Sequence, residues 1–207
     1  MKKSVTVLII IALIIGGIGI WWYSSSKNPN ENKGSNYQAK KSVTNTNSSN
    51  GLVVPKTETE ISSFSTKIYN KDKERQNNIG ITCKALTAKE IKPGETFSFC
   101  ETVGKSTSAK GYQEADIYVD GKKEQGLGGG NCQVSTTLYN AVLKIPELEV
   151  VERHEHSGHV PYIQKGKDAA VAYGAYDFKF KNNTQNTIKI IMENTADNIT
   201  AKIFKIS

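Results

Sequence analysis

The sequence predicts an α+β fold, a mostly antiparallel β domain with a few helices that follows an N-terminal transmembrane helix. Three observations lead to this prediction. A continuous apolar block stands at the N-terminus, short β-branched stretches separated by Asn-rich turns fill the C-terminal third, and two internal segments have helical periodicity. The 207 residues are enough for one ordinary domain with accessory segments.

The apolar block has the length and the flanking residues of a membrane anchor. Residues 5–23 contain no charged side chain, and at ~1.5 Å per residue they would span about 30 Å as a helix, the thickness of a bilayer's hydrocarbon core. Two lysines precede the block and three aromatic residues end it, which is typical of a single pass with a cytoplasmic N-terminus. We therefore predict a cytoplasmic tip and anchor at 1–23, in contact with the membrane through residues 4–23. A cleaved signal peptide is the alternative.

A polar linker and one extracytoplasmic domain are predicted after the anchor. Residues 24–56 are rich in Asn, Ser, Lys and Thr and bury too little apolar surface to offset the entropy of ordering, so we predict a disordered linker. The domain is predicted at 57–207. The chain has 27 Lys and Arg, two of them in the tip, against 20 Asp and Glu, so the outer part carries +5, which suits an anionic cell wall or lipid surface. No nucleic-acid-binding pattern occurs, so we expect no nucleic acid partner.

The elements of the domain are predicted in order from periodicity and turn residues. Strands are predicted at 59–69, 96–99, 112–119, 148–153, 169–173, 176–181, 187–193 and 199–206. Helices are predicted at 73–88 and at 133–144, the second with Cys132 at its start and Pro146 at its end. A hairpin turn is expected at Asp120-Gly121, and the last three strands are expected to form an antiparallel meander.

The strongest chemical signal is a cysteine between a glycine-rich loop and the second predicted helix. Cys132 lies in GLGGGNCQVSTTLYNAVL, just after the glycines of residues 126–130. The first N–H groups of a helix lack internal partners and its dipole is positive there, so a thiolate is stabilised and can act as a nucleophile. The N–H groups at 130–134 would stabilise the oxyanion formed on a carbonyl. The alternative is a buried, inert cysteine at a tight junction.

All three histidines lie in one run, RHEHSGHVPY, about twenty residues after Cys132. A histidine is the usual proton acceptor for a cysteine nucleophile. In a strand, His154 and His156 would share a face, and Asp168 in GKDAAVAYG is a candidate to orient the imidazole. A zinc site that combines Cys132 with two or three histidines, including His159, is a competing interpretation without CxxC or HExxH support. We predict no metal and no cofactor.

The other two cysteines have less distinctive surroundings. Cys83 lies on the apolar face of the first predicted helix, which indicates a small core residue, and Cys100 follows a predicted strand. A disulfide between them is an open alternative, since nothing in the sequence places them together. Because the count of three is odd, at least one thiol stays unpaired in a monomer.

These motifs resemble those of the VanW family over roughly residues 60–190. The resemblance rests on GGGNCQVSTTLYNAVL, ERHEHSGHVPY, GKDAAVAYG and DFKFKNNT, and upstream on ISSFSTKIYN, ERQNNI, KPGETFSF and VGKSTSAKGYQEA. Family members are typically envelope proteins of Gram-positive bacteria, named from a glycopeptide-resistance cluster, and some VanW domains are L,D-transpeptidases. The resemblance implies peptidoglycan stem peptides as substrate and Cys132 as the nucleophile of a transpeptidase that forms 3-3 cross-links.

The resemblance also sorts the candidate residues. The family usually has Asn at position 100, Ala at 83 and Pro at 159, so these three positions are expected to stand outside the chemistry. It has histidines at both 154 and 156, and we favour 156 as the base. The expected catalytic residues are Cys132, His156, His154 and Asp168. The expected oxyanion or substrate contacts are Gly129, Gly130, Gln133, Ser135, Thr136, Arg153 and Ser157. The alternative function is a non-catalytic peptidoglycan-binding or envelope scaffold module, linked to glycopeptide resistance.

Overall fold

The computed structural model describes residues 56–119 and 122–207. Residues 1–55, with the predicted anchor and nearly all of the predicted linker, lie outside this part, as does the expected turn at Asp120-Gly121. Within the two described ranges, no helix is long and apolar enough to cross a membrane.

The described chain contains nine strands and three α-helices. The strands are β1 (Glu58–Lys67), β2 (Lys89–Ile91), β3 (Thr96–Ser98), β4 (Glu114–Val119), β5 (Lys122–Leu127), β6 (Leu148–Glu152), β7 (Lys179–Asn182), β8 (Thr187–Asn194) and β9 (Asn198–Ile206). The helices are α1 (Lys73–Leu86), α2 (Phe99–Val103) and α3 (Asn131–Val142). The sheets have the orders β1-β9-β8-β2, β3-β7-β6 and β4-β5, all antiparallel. This confirms the predicted α+β domain with mostly antiparallel strands.

Some predicted elements differ from the observed ones. The expected meander is half correct, because β8 and β9 form a hairpin whereas β7 pairs with β3 and β6 in another sheet. The strand predicted at 169–173 is reduced to isolated bridges at Ala170 and Ala172. Helix α1 ends at Leu86, earlier than predicted, since Ala88 adopts a φ of 67° and the chain turns into β2. The short β2 and α2 were not predicted, because three and five residues show no clear periodicity.

Helix α3 lies in the interior of the domain, packed against β1, β9 and α1. Every residue from Gln133 to Val142 is buried, although several of them are polar. Hydrogen bonds satisfy most of these polar groups. The hydroxyl of Thr137, for example, lies 2.7 Å from that of Thr66 and donates to the carbonyl of Gln133 at 2.7 Å. Since α3 is held on all sides, its N-terminal end is a rigid platform for Cys132.

The connection between β6 and β7 folds over that end of α3 with little regular structure. The N–H of Ala169 donates to Oγ1 of Thr136 at 3.0 Å, which ties the connection to the helix. The N–H of Ala170 donates to the carbonyl of His154 at 2.9 Å, which closes the connection on itself. This folding brings His156 and Asp168, twelve positions apart in the sequence, to the same end of α3 as Cys132.

Candidate functional site

Cys132 is the second residue of α3 and follows the glycine-rich loop directly. Gly130 caps the helix with a φ of 115°, a left-handed conformation that residues with side chains rarely adopt. Gly129 has no room for a side chain, because a Cβ there would lie 2.7 Å from the carbonyl oxygen of Asp116. Gly129 therefore lets β4 pack closely against the start of α3, Gly130 leaves room for Ile79 of α1, and Cys132 stays partly exposed.

In the backbone around Cys132, the N–H groups of Gly130 and Cys132 have no acceptor among the described residues. The N–H groups at positions 131, 133 and 134 donate to carbonyls of the glycine-rich loop, so they are less available than the expected cluster at 130–134. The N–H of Cys132 itself makes no hydrogen bond to the described part of the chain. The first turn of α3 contains no acidic residue. The positive end of the helix is thus not neutralised locally, and it acts on the thiol.

Cys132, His156 and Asp168 are arranged in a line: Cys132 and His156 line the same cleft, and the ring of His156 is hydrogen-bonded to Asp168. Nδ1 of His156 lies 2.6 Å from Oδ2 of Asp168, so Nε2 is the ring nitrogen left to interact with the Cys132 thiol. The same carboxylate oxygen accepts the backbone N–H of His156 at 2.7 Å. The two side chains are 12% and 7% exposed, so water screens their pairing little. A nucleophile, a base and an orienting carboxylate in this order form the arrangement used for acyl transfer.

Arg153 holds the other side of the Asp168 carboxylate. Its Nη2 donates to Oδ1 of Asp168 at 3.0 Å, and its Nε donates to the Asp168 carbonyl at 2.6 Å. Its Nη1 pairs with Oε1 of Glu155 at 2.7 Å, and the guanidinium lies 5.4 Å from the ring centroid of Tyr139. Arg153 was expected to contact the substrate, but it does not line the cleft. It instead positions the Asp168 carboxylate, which orients His156.

The surroundings of His156 raise its pKa above the ordinary value of histidine. Burial lowers the pKa, but hydrogen bonds and negative charge from Cys132 and Asp168 favour the protonated ring and outweigh burial. The pKa of Asp168 is lowered, because the hydrogen bonds from His156 more than offset the effect of burial. The His156 contribution to stability is therefore complete below the pKa of unfolded histidine and disappears as the pH rises through the folded pKa. The Asp168 contribution is complete above the pKa of an unfolded carboxyl and disappears as the pH falls through the folded pKa.

Replacing Asp168 by asparagine is expected to lower the pKa of His156, because the charge that favours the imidazolium is removed while a side-chain oxygen remains. The measurement is an NMR titration of the His156 ring in the full chain, with the signals assigned by His156→Gln. Glu155→Gln is the matched control, since Glu155 bonds Arg153 and leaves the Asp168 carboxylate intact. A pKa of His156 that Asp168→Asn leaves unchanged contradicts the pairing.

Three of the expected substrate contacts do not face the reactive cleft. The side chains of Ser135 and Thr136 are fully buried within the domain, so they have no access to a substrate. Thr136 instead accepts the N–H of Ala169, and Oγ of Ser135 has no partner among the described residues. Ser157 is exposed and lines a separate cavity of about 170 Å³ that also includes His156. The roles expected of these three side chains therefore lack structural support.

Neither His154 nor His159 lines the cleft that contains Cys132. Nε2 of His154 lies 3.0 Å from Oε1 of Glu152, and its ring packs against Tyr176 with centroids 4.9 Å apart. His159 is exposed and does not line the cleft with Cys132. Across residues 56–119 and 122–207, no three His, Cys, Asp or Glu side chains are grouped to hold a metal ion. The competing zinc interpretation therefore finds no ligand set here.

The three cysteines are free thiols, so the possible disulfide between Cys83 and Cys100 is not formed. Cys83 belongs to the core as predicted, and burial raises its pKa to about 12. Cys100 lines the same cleft as Cys132, and burial, together with the charge and hydrogen bond of Asp177, raises its pKa to about 12. Both Cys83 and Cys100 stay protonated at neutral pH and are poor nucleophiles.

Cys132 and His156 lie in a cleft of about 620 Å³, a size that accommodates a peptide segment. The charged residues that line it are Arg75, Lys105, Lys123, Asp116 and His156. The Asp116 carboxylate is paired with Lys123 at 2.7 Å, so the remaining charge is positive. Tyr69 and Tyr173 also line the cleft and are 59% and 61% exposed, which provides aromatic surface at its opening.

Sequence reasoning missed three residues of the site. Val171 contacts the Cys132 thiol through its N–H at 3.5 Å and its carbonyl at 3.4 Å. Tyr162 lines the cleft, and burial raises its pKa, which keeps the hydroxyl neutral. Arg75, in α1, donates from Nη2 to Oε1 of Gln133 at 2.8 Å. The sequence gives little indication of their roles. Each residue lies within a motif that carries the family resemblance, but nothing in these motifs distinguishes it from its neighbours.

Comparisons with known proteins identify the family of this chain. Residues 74–204 match the family described as VanW like protein. The chain is 41% identical over 131 residues to the uncharacterized protein YoaR of Bacillus subtilis strain 168, covering 63% of this chain and 43% of YoaR. It is 33% identical over 135 residues to the vancomycin B-type resistance protein VanW of Enterococcus faecalis strain V583, covering 61% of this chain and 48% of that protein.

The matched region spans less than half the length of these two curated relatives. No solved structure matches the chain. Because the family match extends over more than half of the 207 residues, and includes Cys132, His156 and Asp168, the chain belongs to the VanW family.

Proposed function

We propose that this domain is a cysteine-dependent L,D-transpeptidase that forms 3-3 cross-links between peptidoglycan stem peptides. The observation that carries the proposal is a line of three residues: Cys132 and His156 share a cleft of about 620 Å³, and Asp168 is hydrogen-bonded to the ring of His156. Each member of this line has a role in acyl transfer. Cys132 is the nucleophile, His156 moves the proton, and Asp168 orients the imidazole.

The first half-reaction forms a thioester. The thiolate of Cys132 attacks the carbonyl carbon of the third stem residue, and the free N–H of Cys132 stabilises the resulting oxyanion. The bond between this carbon and the nitrogen of the terminal D-residue then breaks. The leaving amine takes a proton from the protonated ring of His156, and the terminal D-residue departs as a free amino acid. The raised pKa of His156 supports this role, because it favours the proton-carrying ring.

The second half-reaction resolves the thioester. A side-chain amine of a neighbouring stem attacks the acyl carbon, His156 accepts the proton that the amine loses, and Cys132 leaves as a thiolate. The product is a 3-3 cross-link between two third residues. If water replaces the amine, the same steps give a shortened monomer, so the site must favour the amine over water.

The proposed setting is the outer side of a cytoplasmic membrane. An anchor at residues 4–23 and a linker at 24–56 would hold the domain near the wall, and the basic lining of the cleft suits an anionic polymer. One relative is named for vancomycin B-type resistance. For this chain, we also propose a role in glycopeptide resistance, which would result from altered cross-linking.

A non-catalytic peptidoglycan-binding or scaffold module is the second candidate. It is favoured by the contacts of Cys132. The thiol donates to the carbonyl of Val171 at 3.4 Å and accepts the N–H of Val171 at 3.5 Å, which is typical of a cysteine with a structural role. The two candidates differ in thiol chemistry. The enzyme requires that Cys132 of the folded chain reacts with iodoacetamide, whereas a packing cysteine reacts only after unfolding.

The test is incubation of the full-length chain with disaccharide-tetrapeptides, followed by mass spectrometry of the products. We expect a dimer that lacks one terminal D-Ala, and we expect prior alkylation with iodoacetamide to remove it. A shortened monomer without dimer would assign carboxypeptidase chemistry to the same thiol and contradict the transpeptidase. No product from a folded, unmodified sample would favour the binding module.

A further inference from the structure

Arg75 lines the cleft that contains Cys132, and its guanidinium has no carboxylate partner among the described residues. Its hydrogen bonding within the described chain is limited to the donation from Nη2 to Oε1 of Gln133 at 2.8 Å. Its Nε is buried without a partner, and no carboxylate in the described ranges lies within hydrogen-bonding distance. A guanidinium has five N–H donors, and leaving them unpaired away from bulk water is costly. The arrangement therefore indicates that a ligand supplies the anion.

The acidic residue of the cleft does not serve this purpose. Asp116 interacts electrostatically with Arg75, but both of its carboxylate oxygens are already engaged. Oδ2 is bonded by Asn70 at 3.2 Å and by Lys123 at 2.7 Å, and Oδ1 accepts from Gln125 at 2.6 Å. Among the described residues of the cleft, Arg75 and Lys105 are thus the cations without a carboxylate partner, and only Arg75 has a buried donor atom without a hydrogen bond.

The position of Arg75 relative to the nucleophile is fixed by Gln133, the residue after Cys132. Nε2 of Gln133 donates to the carbonyl of Lys67 at 3.0 Å and to Oγ1 of Thr66 at 3.2 Å, so its Oε1 is turned toward Arg75. Gln133 is 2% exposed and cannot change this orientation easily. A substrate carboxylate bound to Arg75 would lie in the same cleft as the Cys132 thiol.

We propose that Arg75 binds the terminal carboxylate of the donor peptide, on the leaving residue one position beyond the scissile bond. This inference rests on the proposed function and narrows its substrate class to peptides whose last residue, with a free carboxylate, is the leaving group. A guanidinium matches a carboxylate through two parallel hydrogen bonds, so it distinguishes the free acid from an amide or an extended chain. Arg75 is therefore a specificity-determining residue, and Gln133 is its positioning residue.

The first test measures how well a ligand protects Cys132, either by occupying the cleft or by acylating the thiol. The full chain is treated with iodoacetamide in the presence of diacetyl-L-lysyl-D-alanine or its C-terminal amide. Peptide mass spectrometry then measures the fraction of Cys132 that is alkylated. We expect the acid to protect Cys132 at a concentration about tenfold lower than the amide does. A difference of this size is typical of a hydrogen bond to a charged group. Equal protection by acid and amide in the wild-type chain would overturn the proposal, whether or not the variants fold.

The second test uses variants with matched charge changes. Arg75→Gln is expected to remove the preference for the acid, and Arg75→Lys to retain part of it, because the charge remains without the planar fork. Lys105→Gln, which removes another cation of the cleft lining, is the control and should retain the preference. An equal loss in Lys105→Gln would mean that a general positive field acts, and it would contradict a specific site at Arg75. Thermal unfolding of each variant checks its fold.

The outcomes separate this inference from the proposed function. Protection by the acid without any cross-linked dimer would retain the carboxylate site and remove the transpeptidase. Dimer formation with equal use of acid and amide donors would retain the transpeptidase and remove the role of Arg75.

Discussion

Replacing Cys132 by alanine is expected to abolish formation of the 3-3 dimer, with a loss on the order of 10⁴-fold or more, the size typical when a triad loses its nucleophile. No other thiol can take its place, because Cys83 is buried in the core and Cys100 is held protonated by burial and by Asp177. The measurement compares dimer yield from disaccharide-tetrapeptides for the wild-type and Cys132→Ala chains, with the melting temperature as a check on folding.

Cys100→Ala is the matched control for this prediction, since it removes a thiol from the same cleft. The thiol of Cys100 donates to the carbonyl of Tyr176 at 3.3 Å and has no place in the line from Cys132 to Asp168. We expect its dimer yield to stay close to that of the wild-type chain. A Cys132→Ala chain that folds and still produces dimer would remove Cys132 from the chemistry, while loss in both variants would point to damage of the cleft as a whole.

The sequence could predict the parts of the site that depend on local structure. The junction at Cys132 follows from glycines that permit a positive φ next to a segment with helical spacing, and both signals lie within a few residues. Buried residues alternate with partly exposed ones along most of β8 and β9. The predicted bounds of each strand therefore differ from the observed ones by one residue at one end. The anchor and linker expected at 1–56 rest on composition and stay predictions.

Long-range packing explains what the sequence could not predict. His154 and His156 would share a face in a strand, but the chain after β6 is irregular, and the two rings contact different partners. Arg75 lies 58 positions before Gln133, and its place in the cleft depends on how α1 packs against α3. Strand β7 joins the sheet of β3 and β6 for the same reason, since partner choice between strands is decided by packing and not by turn residues.

Replacing His156 by alanine is expected to reduce the rate of dimer formation by about 10²- to 10⁴-fold, the contribution typical of a positioned acid or base. The ring of His156 is hydrogen-bonded to the Asp168 carboxylate and lines the same cleft as the Cys132 thiol. Without it, the leaving amine has no proton donor and the attacking amine has no proton acceptor. Alkylation of Cys132 by iodoacetamide near neutral pH is expected to slow as well, because the imidazolium that stabilises the thiolate is lost.

His154→Ala is the control that decides between the two histidines, because it removes the same side chain two positions earlier. The His154 ring contacts Glu152 and Tyr176, and Glu152 retains its ion pair with Lys179 at 2.9 Å after the change. We therefore expect His154→Ala to keep most of the dimer yield and the alkylation rate of Cys132. If instead His154→Ala loses the activity and His156→Ala keeps it, the proton is moved by the other histidine, and the contact between His156 and Asp168 is structural.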